Sequence, residues 1–104
     1  MILAQNCPAS ANDVLLFTAK VRTDVSALRI ANLTGGGLNF RVRLSRPTEE
    51  VANNRQYLNF GTVIALNASV TDTQIGVMYP GESVYVLASA ANSLAFTLLG
   101  EERP

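Results

Sequence analysis

Three features of the sequence could do chemistry: the glycine run Gly35-Gly36-Gly37, the arginines Arg41 and Arg43, and the adjacent carboxylates Glu49 and Glu50. A glycine-rich turn cradles phosphate when a strand precedes it and a helix follows, because the backbone N–H groups at the helix N-terminus then face the anion. Here the residues after Gly37 alternate with a period of two. Leu38, Phe40, Val42 and Leu44 fall on one side, Asn39, Arg41, Arg43 and Ser45 on the other, which is the pattern of a strand. The lysine and hydroxyl that follow in a phosphate loop are missing as well. Thr34-Gly35-Gly36-Gly37 therefore reads as a hairpin connection in which glycines supply positive φ.

The inventory for acid–base or covalent chemistry is thin. The chain has no histidine, one lysine (Lys20) and one cysteine (Cys7), so the commonest general base and metal ligand is missing and no internal disulfide can form. No motif surrounds Lys20, and Cys7 reads as a small buried or incidental thiol. The eight acids, Asp13, Asp24, Glu49, Glu50, Asp72, Glu82, Glu101 and Glu102, fall mostly in turns and at the tail, and no spacing resembles a calcium loop. Glu49-Glu50 sits in a polar loop and reads as solvated. No catalytic residue, cofactor or metal is expected, and the chain is read as a non-enzyme. Asn32-Leu33-Thr34 and Asn67-Ala68-Ser69 match the N-glycosylation sequon, a pattern with weight only in a secreted eukaryotic chain.

The elements that must position these residues are strands. Val14–Val21, Asp24–Leu33, Leu38–Ser45, Arg55–Asn67 (with a break at Gly61), Val70–Tyr79, Ser83–Ser89 and Leu94–Gly100 all read as extended. Arg46–Asn54 reads as a polar loop with a helical turn at Thr48–Val51. Tyr79-Pro80-Gly81-Glu82 has the residues of a tight turn, with Pro setting φ and Gly taking φ > 0. Seven or eight short strands at this spacing predict an all-β fold, a single antiparallel β-sandwich of jelly-roll or Ig-like order. The expected organisation is an extended N-terminal arm over 1–12, the sandwich over 13–100, and a polar tail over 101–104. Val14–Phe17 and Val63–Leu66 are apolar on both faces, whereas a two-sheet sandwich buries only one face of each strand. The second face hints at burial between molecules.

Composition points the same way. Charged residues make up only 15% of the 104 residues, against roughly 25% in ordinary soluble domains. Either Ser, Thr, Asn and Ala supply the outer surface, or copies of the chain or a partner cover it. The net charge is zero, which disfavours a duplex nucleic-acid binder. No apolar run is long enough to span a membrane. Seven of the eight bases are Arg, the cation favoured at interfaces. Lys20 to Arg55 holds seven bases against three acids, and Gln56 to Pro104 one base against four acids. That split suits head-to-tail packing of copies, or equally pairing between strands of one molecule. Arg41 and Arg43 project from one strand face about 7 Å apart. With Arg29 on a neighbouring strand they would form a basic strip, to meet an acidic neighbour such as the Glu101-Glu102 tail of another subunit, or to face solvent.

Several short motifs resemble a family of small virion proteins of tailed bacteriophages. They are Met1-Ile2-Leu3-Ala4-Gln5, Leu16-Phe17-Thr18, Ala27-Leu28-Arg29-Ile30-Ala31-Asn32, Phe40-Arg41-Val42, Tyr57-Leu58, Pro80-Gly81-Glu82 to Ser89, and Leu94 to Glu101. The sequence departs from the family pattern at Thr18–Asp24, where a Val-Pro is expected after the threonine. The resemblance implies a structural role in capsid cement or decoration, or in the neck, tail or fibre attachment, with no catalytic residues.

The expected function is thus a phage structural protein that self-associates and docks on other virion proteins. It would be made in the bacterial cytoplasm and located in the virion, with no nucleic-acid or membrane partner. Arg29, Arg41, Arg43, Glu101 and Glu102 are the interface candidates. The rival is a glycan-binding sandwich module of a host-recognition appendage, which needs exposed aromatics beside polar groups. Against it stand the lack of Trp and the presence of only Tyr57, Tyr79 and Tyr85.

Overall fold

The computed structural model describes residues 1–47 and 54–104. Its strands are β1 (Ile2–Asn6), β2 (Val14–Thr18), β3 (Arg22–Asn32), β4 (Leu38–Ser45), β5 (Tyr57–Ile64), β6 (Ser69–Asp72), β7 (Val77–Met78), β8 (Ser83–Ala88) and β9 (Leu94–Arg103). A 3₁₀ turn, Asn54–Gln56, precedes β5. The front sheet has the order β1-β9-β3-β6, with β7 also pairing with β3, and the back sheet the order β2-β8-β4-β5. All pairings are antiparallel. The fold is a β-sandwich as expected, and of the two strand orders considered it has that of the jelly roll.

The core follows from alternation. Phe40 and Val42 of β4, Val84, Val86 and Ala88 of β8, and Ile64 of β5 point in from the back sheet; Leu28 and Ile30 of β3 and Leu94, Phe96 and Leu98 of β9 meet them from the front. Each is essentially fully buried, and such contact between two apolar faces is what drives sheet packing.

In β3 the inward set is Thr23 and Val25, then Leu28, Ile30 and Asn32. The phase slips by one at Ser26, where the register against β9 breaks between Val25 and Ala27. A bulge of this kind leaves two residues opposite one and bends the strand. On the other flank of β9, β1 slips between Ile2 and Ala4. Gly100 lies where these irregularities converge. A Cβ there would come within 2.3 Å of the Asp24 carbonyl oxygen and 2.9 Å of the Val25 Cα, so the close backbone approach requires glycine.

The ends of the chain belong to the sheet. Ile2–Asn6 of the expected arm forms edge strand β1 on β9, and β9 runs on through Glu101 and Glu102 to Arg103 beside Arg22–Asp24 of β3. Gly35–Gly37 is another departure. It joins β3 in the front sheet to β4 in the back sheet, so it is a crossing between layers instead of a hairpin, and the glycines with positive φ are Gly61, Gly76 and Gly81. The crossing is organised by Asn32, which is 4% exposed. Its Nδ2 donates to the carbonyls of Gly36 (2.9 Å) and Ala65 (3.1 Å), and its Oδ1 accepts from the N–H and hydroxyl of Thr34. One amide thus ties the β3–β4 crossing to the β5–β6 connection.

Tyr79–Glu82 forms the expected turn. The Glu82 N–H donates to the Tyr79 carbonyl at 3.0 Å, and Gly81 has φ +92°. The break expected at Gly61 is a bulge inside the continuous strand β5, because the register against β4 slips between Phe40 and Arg41. The helical turn expected at Thr48–Val51, and with it Glu49 and Glu50, lies outside the described residues.

Candidate functional site

The outer face of the back sheet gathers the side chains with most capacity for contact. One row across the four strands is Leu15, Tyr85, Arg43 and Tyr57; the next is Leu87, Arg41 and Phe60; Asn39 and Val63 follow. Leu15 is 48% exposed, Phe60 60% and Val63 71%. They are the exposed large apolar side chains of this face.

Arg43 and Arg41 differ sharply. Arg43 is buried, at 7% exposure. Its Nε and Nη2 donate to Asp13 Oδ2 at 2.9 and 2.6 Å, its Nη1 donates to Gln56 Oε1 at 2.7 Å, and its guanidinium lies 3.8 Å from the Tyr85 ring centroid. It therefore crosses β8 to reach the residue before β2, and in the other direction grips the 3₁₀ turn before β5. The sequence expectation placed Arg43 outward to meet another molecule. It is outward from the sandwich, yet its hydrogen bonds close within the chain. Arg41 is half-buried and lies 3.8 Å over the Phe60 ring. Phe60 packs edge-on against Tyr57 at 4.9 Å. Such stacking leaves the guanidinium N–H edges available to an acceptor.

Arg29 is separated from both. It lies on the outer face of the front sheet, opposite Thr97 of β9 and Thr71 of β6. The expected three-arginine strip is not formed, because the chain changes layers between β3 and β4. Arg29 borders a shallow groove of about 340 Å³ lined also by Ile2, Ala31, Ser69, Thr97 and Leu99.

The acidic candidates lie at one end of the front sheet. Glu101 is 3.5 Å from Arg103, while Arg103 also donates to Asp24, which lies 3.7 Å from Arg22. The hydrogen bond to Asp24, followed by the charges of Asp24 and Glu101, holds the Arg103 guanidinium above its ordinary pKa. An open cleft of about 450 Å³ over the bulge is lined by Met1, Asp24, Val25, Ser26, Gly100 and Glu101. Both of its carboxylates already face Arg103. Glu102 is exposed.

Asp13, Gln56, Leu15, Tyr57, Phe60 and Tyr85 are not among the interface candidates read from the sequence, although Leu15 and Val63 fall in the two segments that read as apolar on both sides. Cys7 is exposed, not buried. Among the described residues no cluster of three or more His, Cys, Asp or Glu could hold a metal, and no helix is long and apolar enough to cross a membrane. The back face offers cation–π and apolar contact surface, with Asp13 engaged by Arg43. The chain matches no family model, and neither a curated protein nor a solved structure is significantly similar to it.

Proposed function

We propose that this chain is a non-enzymatic structural protein of a tailed-bacteriophage virion, working by association with its own copies and docking on other virion proteins. The observation that carries the reading is the outer face of the back sheet, where exposed Leu15, Phe60 and Val63 surround arginines stacked on aromatic rings. Aromatic residues and Arg are the types enriched where protein interfaces hold most of their binding energy. The low charge content and the virion-like motifs support the same reading. The jelly roll is compatible with it, being a fold used by capsid and lectin domains alike, but a fold alone assigns no role.

The mechanism is burial of this face against a neighbour, about 800 Å² per partner being enough for a stable contact. Sedimentation of the full chain over a wide concentration range tests it. Mass that rises with concentration is expected, together with weakening by the paired change Phe60→Ser and Val63→Ser. A monodisperse monomer that also fails to bind purified virion proteins would overturn the reading. Saturable sugar binding by that monomer on a glycan array would replace it with the glycan-recognition role.

A further inference from the structure

We infer that the self-contact is heterologous: the back face of one copy receives the Glu102 end of another, and does not pair with a second back face. This rests on the self-association proposed above and adds its polarity.

The argument is one of charge. Among the described residues the rows of the back face carry two guanidiniums, Arg41 and Arg43, and one carboxylate flanks them, Asp13, which is already held by Arg43 at 2.6 Å. Arg41 lies over Phe60 and has no carboxylate partner among the described residues. A two-fold contact presents the same patch from both molecules. It would desolvate two copies of Arg41 with no free carboxylate among the described residues of either patch to receive them, which is unfavourable.

Among the described residues the receiving acid therefore comes from elsewhere on the chain. Asp24 and Glu101 face Arg103; Asp72 is buried and accepts from Asn59 and from the Gln74 N–H at 2.8 Å; Glu82 accepts from the Tyr79 N–H at 2.7 Å. Among the described residues Glu102 has the one side-chain carboxylate with neither a hydrogen bond nor an ion pair. It is exposed at the far end of β9, opposite Thr23. Arg29 and Lys20 are further unpaired cations among the described residues, but the groove beside Arg29 is lined by Ile2, Ala31, Ser69, Thr97 and Leu99 and has no aromatic ring. Contacts of this head-to-tail kind close into rings or run on as open chains.

Sedimentation of charge variants of the full chain decides the matter. Arg41→Glu and Glu102→Lys should each weaken association by roughly tenfold or more, and the double variant should recover it, because the pair is then restored with its signs exchanged. A 1:1 mixture of Arg41→Glu with Glu102→Gln should form a complex that stops at two chains, since one face and one end remain competent. The inference is overturned if Glu102→Lys leaves association unchanged, or if the double variant is no stronger than the singles. It is also overturned if the mixture does not form the two-chain complex. Circular dichroism checks folding, and Arg41→Gln replaces Arg41→Glu should the latter unfold. If the natural chain never associates, the self-association reading falls first and takes this one with it. If the chain associates but ignores these charges, only the polarity is wrong.

Discussion

On the outer face of the front sheet Arg29 stands between Thr97 and Thr71, with Ala27, Ala31 and Ala95 along the adjoining rows. On the outer face of the back sheet Arg41 lies against Phe60 and Arg43 against Tyr85. The same side chain is solvated in the first setting and stacked in the second. What separates them is the neighbours supplied by adjacent strands: hydroxyls and aliphatic side chains on one sheet, rings on the other. A guanidinium is weakly hydrated and planar, so a ring face draws it out of water where a threonine does not. The two sheets are also held differently. The front sheet depends on a backbone approach at Gly100, the back sheet on the reach of one buried side chain.

Substitutions can break this contrast, the strongest first. Gly100→Ala forces a methyl into the Asp24 carbonyl and the Val25 backbone, and overpacking against backbone should cost about 3 kcal/mol. Urea unfolding measures it; a loss below about 1 kcal/mol would show that the bulge yields easily. Arg43→Ala strips Asp13 and Gln56 of their donor. A loss of roughly 2 kcal/mol is expected, below the value for a fully buried pair because Asp13 keeps access to water. Arg29→Ala should change stability by less than about 0.5 kcal/mol, as for other solvated surface positions. Equal losses for the two arginine variants would erase the distinction between the faces.

The strand alternation in Leu38–Ser45 was legible, and with it the inward setting of Phe40 and Val42. So was the turn at Tyr79–Glu82, because Pro and Gly constrain φ locally. The double-sided apolar character of Val14–Phe17 and Val63–Leu66 was legible too; it appears as the exposure of Leu15, Val63 and Leu66. What escaped is non-local. Arg43 is held by a carboxylate thirty positions away, and no period in the sequence marks that partner. Arg29 and Arg41 sit on consecutive strands, yet the jelly-roll order puts those strands in opposite layers, so closeness in sequence misled. The glycine run looked like a positive-φ turn because glycine permits one; its course is set by the Asn32 amide. The bulges at Ser26 and Leu3 depend on pairing with β9, and sequence alternation alone does not place such pairing.

The Asn32 amide has one more consequence, for biosynthesis. Its nitrogen is the acceptor atom of the Asn32-Leu33-Thr34 sequon, and in the folded molecule that nitrogen is enclosed by the Gly36 and Ala65 carbonyls. A sugar attached to a nascent chain would occupy the space that the crossing between layers has to close. Production in a secretory eukaryotic host should therefore divide the product into a folded, unmodified fraction and a misfolded fraction glycosylated at Asn32, separable by mass. An inhibitor of N-glycosylation should shift the yield toward the folded fraction, and a folded product bearing sugar at Asn32 would refute the expectation.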